Sequence, residues 1–265
     1  MLAPKFWYPE NNEKSFSSLA LIPFGHIYSL LSKLRMSKAV KKQFDIPIVC
    51  IGNLNAGGTG KTPTTISAAE FLKDRKYNVH IDSRGYGGNA MGPLSVNDKE
   101  HSADDVGDEA LMLSAFAPTW VATKRSDGVQ SAIKEGADII LLDDGFQDPS
   151  VYKDLSILTV NAKKGFGNNR CIPAGPLREK LSSGLERADV LISIGTETSQ
   201  RTFKSTYKSY INMPLGIANL EVLNTGLSLE NMKVLAFAGI AHPENFFDTL
   251  RAQGAEIVDY QACLL

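Results

Sequence analysis

This 265-residue sequence has little cysteine and almost no net charge. Its three cysteines, Cys50, Cys171 and Cys263, are odd in number and far apart, which argues against a disulfide framework or a zinc cluster and fits reduced thiols. Lys plus Arg number 28 against 29 acids, a formal charge of −1, so no whole-chain field points to nucleic acid as a partner. Any basic site is local. No stretch reads as a good membrane span: the best candidate, the eighteen uncharged residues between Lys14 and Lys33, is broken by Pro23, Gly25 and five serines. The same breaks, with no small-residue cleavage site behind them, argue against a secretory signal. Repeats, heptads and low-complexity tracts are missing too. What is present, 43% apolar and 22% charged side chains, suits a folded chain with a real core.

The first 45 residues differ from the rest. Phe16, Leu19, Leu21, Ile22, Phe24, Ile27, Tyr28, Leu30 and Leu31 precede five cations without an acid: Lys33, Arg35, Lys38, Lys41 and Lys42. That order suits a helix lying on an anionic bilayer face, and equally a core-packing helix with a solvated tail.

From residue 46 onward, short β-branched runs alternate with helical stretches, the signature of an α/β fold with a parallel sheet covered by helices. Strands are expected at 46–51, 78–82, 119–122, 138–142, 155–160, 189–194 and 233–238. Helices are expected at 61–74, 108–116, 126–135 and 243–253, with Gly254 stopping the last. The reading divides the chain into an interfacial segment (1–45), a nucleotide-binding core (46–165) and a smaller C-terminal lobe (166–265).

The strongest chemical signal lies between the first strand and its helix: Asn55-Ala56-Gly57-Gly58-Thr59-Gly60-Lys61-Thr62. Glycines let successive amides converge on phosphate oxygens, the helix N-terminus favours negative charge, Lys61 reaches the terminal phosphates and Thr62 can ligate Mg²⁺. Asn55 stands where the common pattern has glycine, so the loop is a variant. A second buried strand, Ile139-Ile140-Leu141-Leu142, ends in Asp143-Asp144, placing acids where they can hold Mg²⁺ or its waters. If the strand runs through both, the two carboxylates face opposite ways and one, Asp143 by preference, touches the metal. Asp108-Glu109 opens a helical run; alone, it reads as first-turn acids.

These motifs, joined by Ser83-Arg84-Gly85-Tyr86-Gly87-Gly88, Leu142-Asp143-Asp144-Gly145-Phe146-Gln147 and Pro173-Ala174-Gly175-Pro176-Leu177-Arg178-Glu179, closely resemble the tetraacyldisaccharide 4′-kinase family in the family's own order. The likeness runs from Phe6-Trp7-Tyr8 to Pro243. It implies a phosphate-loop kinase, peripheral on the cytoplasmic face of the bacterial inner membrane. Such an enzyme transfers the γ-phosphoryl group of ATP, with Mg²⁺, to the 4′-hydroxyl of a tetraacylated glucosamine disaccharide 1-phosphate, forming lipid IVA, and needs no obligate protein partner. Lys61 and Thr62 match the family's phosphate-loop pair, and Asp108 matches the aspartate that assists the acceptor hydroxyl. Glu109, Asp143 and Asp144 match acids around the metal. Ser83, Arg84, Tyr86, Asn168, Arg170, Arg178 and Glu179 fall in motifs similar to substrate-facing loops.

Two positions depart from the pattern. Asp148 follows the Gly-Phe-Gln motif where the family has histidine. The family's later Asp-His-His-type motif, expected soon after Ala255–Tyr260, has no counterpart in Gln261-Ala262-Cys263-Leu264-Leu265, so the C-terminal lobe is expected to be truncated and turnover weakened. His26, His80, His101 and His242 do not replace it. Two other readings stay open: a membrane-positioned switch ATPase, against which Ala56 replaces that class's signature lysine, and a lipid-binding pseudoenzyme.

Overall fold

The structure, a computed structural model, describes residues 3–9, 15–221, 228–239 and 243–262. A short 3₁₀ turn at Lys5–Trp7 precedes two helices, α1 (Phe16–Ala20) and α2 (Ile22–Lys38). The core follows as β1 (Ile48–Gly52), α3 (Lys61–Asp74), β2 (Val79–Ser83), β3 (Leu94–Ser95), α4 (Ala103–Val106), α5 (Asp108–Ser114), β4 (Thr119–Val121), α6 (Arg125–Lys134), β5 (Ile139–Asp143) and β6 (Leu155–Asn161). Then come α7 (Leu181–Leu185), β7 (Val190–Ile194), α8 (Glu197–Tyr207), β8 (Leu215–Ala218), β9 (Lys233–Ala238), α9 (Pro243–Ala252) and β10 (Glu256–Ala262).

Eight strands form one sheet in the order β3-β4-β2-β5-β1-β6-β7-β8, parallel except at the β3 edge. Strand alternation sorts the core into two layers. Ile48, Cys50, Ile140 and Leu142 face one cluster that includes Val129 and Ala132 of α6; Val79, Ile81, Ile139 and Leu141 face the other, with Ala69 of α3 and Leu113 of α5. All seven expected strands are present, but β9 is not in the main sheet. It pairs in parallel with β10 to make a separate two-stranded sheet, covered by Phe247 and Leu250 of α9.

Three expectations give way to packing. Pro23 and Gly25 do not break the N-terminal helix. The break falls at Leu21, and Pro23 sits in the first turn of α2, where its missing N–H has no intrahelical partner to lose. Gly25 is buried, and a Cβ there would lie 3.0 Å from the carbonyl of Cys171. The main sheet also continues past residue 165: β7 pairs with β6 and β8 with β7, up to Ala218. The Gly- and Pro-bearing stretch at 165–176 is an excursion pinned by buried Phe166 and Leu177. The α8 helix lacked a sequence signal because its apolar stripe is thin, with only Phe203 and Tyr207 joining Gln200 on the buried side.

One charged pair is built into this core. Arg125, opening α6, donates to Asp82 Oδ2 of β2 at 2.9 Å, and the two residues are 2% and 0% exposed. Gly128 leaves the room, since a Cβ there would lie 2.1 Å from Asp82 Oδ1. Burial pushes the Asp82 carboxyl up to about 7 against the pull of Arg125. Arg125→Met removes the cation and leaves Asp82 buried alone, a loss of about 3 kcal/mol in urea unfolding. A carboxyl whose folded pKa exceeds its unfolded value loses stability as pH rises, so the deficit is greater at pH 8 than at pH 6. A pH-independent deficit, or none, would contradict the pairing.

Candidate active site

The carboxyl ends of β1, β2 and β5 bring the expected motifs to one edge of the sheet, where α/β folds bind ligands. Register places them side by side: Ile51 of β1 lies opposite Asp143 of β5, and Asp82 of β2 opposite Leu142. The phosphate loop leaves β1 through Asn53, whose Nδ2 donates to Gly57 O at 3.2 Å and Thr59 Oγ1 at 2.9 Å. Thr59 Oγ1 in turn meets Thr159 of β6 at 3.0 Å. Asn55 Nδ2 donates to Gly165 O at 3.0 Å, so the variant first position ties the loop to the excursion after β6. Gly60 has φ +88°, and a Cβ would sit 2.5 Å from Ile194 Cδ1, so glycine is required there by both conformation and space.

The amides of Gly57 through Thr62 find no acceptor among the described residues. They form a row of donors at the start of α3, with Gly57 and Gly58 exposed. Lys61 is 8% exposed and its Nζ lies 3.8 Å from Asp144 Oδ2. Asp144 also receives Arg178 Nη1 at 3.0 Å on both oxygens. Burial works against its charge, yet Lys61 and Arg178 outweigh burial and hold this carboxyl below the ordinary range.

Asp143 behaves differently. Alternation puts it on the α3 side of the sheet, where Thr65 Oγ1 donates to its Oδ1 at 3.1 Å. Burial, then the negative charge of Glu109, pushes its carboxyl up to about 6. Asp144 departs from the strand by adopting φ +49°, so the neighbouring acids occupy unlike environments. Arg125 Nη2 donates to Asp143 O at 2.5 Å, fastening the end of β5 to the buried pair described above.

Asp108 and Glu109 are exposed at the start of α5, beside the loop that follows β2. Contact between these segments is close: a Cβ on Gly107 would lie 2.5 Å from Tyr86 O, and one on Gly88 would lie 2.6 Å from Asp105 O. Tyr86 is 90% exposed there and Arg84 is exposed, whereas Ser83 is buried with its Oγ 3.5 Å from the Gly85 amide.

The remaining expected residues are engaged by the protein itself. Asn168 Nδ2 reaches Phe6 O, Ser18 Oγ and Ala174 O at 3.0, 3.1 and 2.9 Å, and Arg170 Nη1 donates to Ser18 Oγ at 2.8 Å. These two seat the N-terminal helices on the excursion loop. Glu179, 7% exposed, pairs with Arg187 at 2.6 Å. Asp148 caps its own turn through Ser150, so this departure from the resemblance has a structural use. His80 accepts the indole N–H of Trp120 at 3.1 Å and His101 the amide of Asn97 at 3.0 Å, while His242 lies outside the described residues.

Sequence reasoning missed three supports. Gln147 donates to Asn53 O at 2.8 Å and to Glu179 at 3.2 Å, bridging the phosphate loop and the arginine motif; its place in Gly-Phe-Gln was the available signal. Thr65 lay one helical turn beyond Lys61. Arg125 carried no motif signal. Among the described residues no three acidic, histidine or cysteine side chains form a metal cage. The cluster suits a hard cation that keeps water and phosphate oxygens in its shell, as Mg²⁺ does.

The sequence matches the LpxK family, described as tetraacyldisaccharide-1-P 4′-kinase, over residues 17–263. The tetraacyldisaccharide 4′-kinases of Jannaschia sp. and Dinoroseobacter shibae are 49% and 46% identical over 97% and 96% of this chain, and over 77% and 76% of their own lengths. The crystal structure of the "apo" form of LpxK from Aquifex aeolicus in complex with ATP has TM-score 0.74 and 26% identity, covering 94% of this chain and 82% of that one. Identity at this level over nearly the whole chain fixes the lineage: it belongs to the tetraacyldisaccharide 4′-kinase family.

Proposed function

We propose that the protein phosphorylates the 4′-hydroxyl of a tetraacylated disaccharide 1-phosphate, using ATP and Mg²⁺, in lipid A biosynthesis. The observation that carries this reading is the row of unpaired amides at 57–62 ending in Lys61, set against Asp143 and Asp144. The amides and Lys61 bind the triphosphate and offset the charge that spreads over the transferring group. Thr62, Asp143, Asp144 and Glu109 are the groups that would hold Mg²⁺, which when bound neutralises phosphate charge. Nucleotide arrival gives Lys61 and Arg178 a second anion, loosening their hold on Asp144.

Asp108 accepts the acceptor's proton. The 4′-oxygen forms the new bond to the γ-phosphorus, the bond from that phosphorus to its bridging oxygen breaks, and ADP leaves. Arg84 and Tyr86, exposed in the loop that packs on Gly107, would position the acceptor. An arginine fork suits a phosphate at such a place.

The N-terminal helices support a membrane-borne acceptor. Their small residues Ser18, Gly25 and Ser29 face the protein, while Phe16, Phe24, Ile27, Leu30 and Leu31 are between 57% and 84% exposed. This inverts the usual surface helix, and an apolar face of this kind marks an interaction site. Arg35 is tied to Gln147 O and Lys42 to Gln130, leaving Lys33, Lys38 and Lys41 for an anionic surface at about 1 kcal/mol each. No helix among the described residues is long and apolar enough to cross a membrane. The reading is therefore a peripheral seat on the cytoplasmic leaflet of the inner membrane, where the acylated acceptor resides.

The test is ³²P transfer from ATP to the tetraacyl disaccharide 1-phosphate in detergent micelles. Transfer above a Lys61→Ala control is expected, and its absence would overturn the activity. Asp108→Ala is expected to lower kcat by about 10²–10⁴-fold with little change in ATP affinity. An equal fall in both would assign Asp108 to nucleotide binding or folding instead.

A further inference from the structure

The main sheet divides at the edge that carries the phosphate loop and the acids. Strand β2 pairs with β5 as far as Asp82 opposite Leu142; beyond that, Ser83 pairs with Val121 of β4 and Asp143 with Ile51 of β1. The groups assigned above follow this division. On the β2 side, Arg84 and Tyr86 lie in the loop that packs on Gly107, the residue before Asp108. On the β5 side stand Asp143 and Asp144, the latter held by Lys61 and Arg178. A phosphoryl group passing from nucleotide to acceptor would cross the gap between the two sides, so the width of that gap decides whether the reacting atoms meet in line.

One side chain spans the gap. Arg125 Nη1 donates to Asp82 O at 2.6 Å and to Asp82 Oδ2 at 2.9 Å, and Nη2 donates to Asp143 O at 2.5 Å. The two carbonyls belong to the last residue of β2 before the strands part and the first of β5 after it. Arg125 comes from α6, which packs on the face of the sheet opposite α3. It therefore grips both strand ends from behind, while the Asp143 carboxylate turns to Thr65 of α3. A planar guanidinium suits this task because its donors form a rigid fork with fixed separation.

Stability alone does not account for the arrangement. Arg125 Nε and Asp82 Oδ1 are both buried with no hydrogen-bond partner among the described residues, and each such atom is a cost to folding. Buried ion pairs of this kind are often no better for stability than apolar side chains of the same volume. What apolar side chains could not do is hold two main-chain carbonyls at a set distance.

We propose that Arg125 is a positioning residue for phosphoryl transfer: by tying Asp82 O to Asp143 O, it fixes the distance between the acceptor loop and the acids that would face magnesium. It acts through the backbone and touches neither nucleotide nor acceptor. The Asp82 carboxylate balances the guanidinium charge and orients the fork. This assignment rests on the kinase reading above and names the residue that joins the two halves of its site.

The experiment compares the wild type with Arg125→Lys and Asp82→Asn by calorimetric titration of ATP with and without magnesium, by urea unfolding, and by ³²P transfer to the tetraacyl disaccharide 1-phosphate. Lysine keeps a cation beside Asp82 but has no fork for two carbonyls. Arg125→Lys is expected to keep metal-free ATP affinity, to lose about tenfold of the gain that magnesium brings, and to lower kcat at saturating nucleotide by about 10²-fold. Asp82→Asn leaves both carbonyl bonds in place, so it is expected to lose stability in urea and keep the magnesium gain. A wild-type magnesium gain and kcat in Arg125→Lys would overturn the proposal, and so would loss of metal-free ATP binding in that variant, which would assign Arg125 to the fold as a whole. Loss of the magnesium gain in Asp82→Asn would also overturn it, by making the carboxylate and not the carbonyl bonds the source of the effect. A wild type that binds no ATP would instead overturn the phosphate-loop reading, and the positioning role with it.

Discussion

Asp144 is held between two cations that come from different parts of the chain, Lys61 from the phosphate loop and Arg178 from the excursion after β6. The parallel pairing of β1 with β5 makes this possible, because it sets the phosphate loop and the acid strand in adjacent positions at one sheet edge. Concentrating charge in this way has a cost that each member offsets for the others. Without the acid, two cations would repel across a partly buried site; without the cations, Asp143 and Asp144 would stand as adjacent anions. The result is a set of balanced charges that the proposed magnesium nucleotide would enter by exchange of partners.

Around that cluster the chain uses neutral hydrogen bonds to hold geometry. Asn53, Thr59 and Thr159 connect β1, the loop and β6, while Gln147 connects Asn53 to the arginine motif. Arg125 secures the carbonyl of Asp143 from below. The excursion at 165–178 is common to both ends of the proposed reaction. It accepts Asn55 from the phosphate loop and presents Asn168 and Arg170 to Ser18 of α1. The surface that would meet the membrane is thereby joined to the phosphate site through one short segment.

Much of this was legible in the sequence because it is local. Lys61–Asp74 forms a helix as its spacing predicts, and the buried runs at 48–52 and 139–143 carry their motifs at the expected ends. What escaped was set by partners distant in the chain. Leu215–Ala218 is a strand only because β7 lies beside it, and Leu94–Ser95 only because β4 does. Arg125 gains its importance from Asp82, 43 positions away, so no spacing rule could find it. The protein contacts of Asn168, Arg170 and Glu179, to Phe6, Ser18 and Arg187, likewise lie far from anything their motif spacing can show. Pro23 occupies the first turn of α2, a placement that composition does not reveal.

The central claim is that these charges form a seat for a magnesium nucleotide, and calorimetric titration of ATP with and without magnesium tests it most directly. The account predicts that magnesium strengthens ATP binding at least tenfold in the wild type, and that Asp143→Asn removes this gain while leaving metal-free ATP binding in place. ATP affinity indifferent to magnesium in the wild type would contradict it.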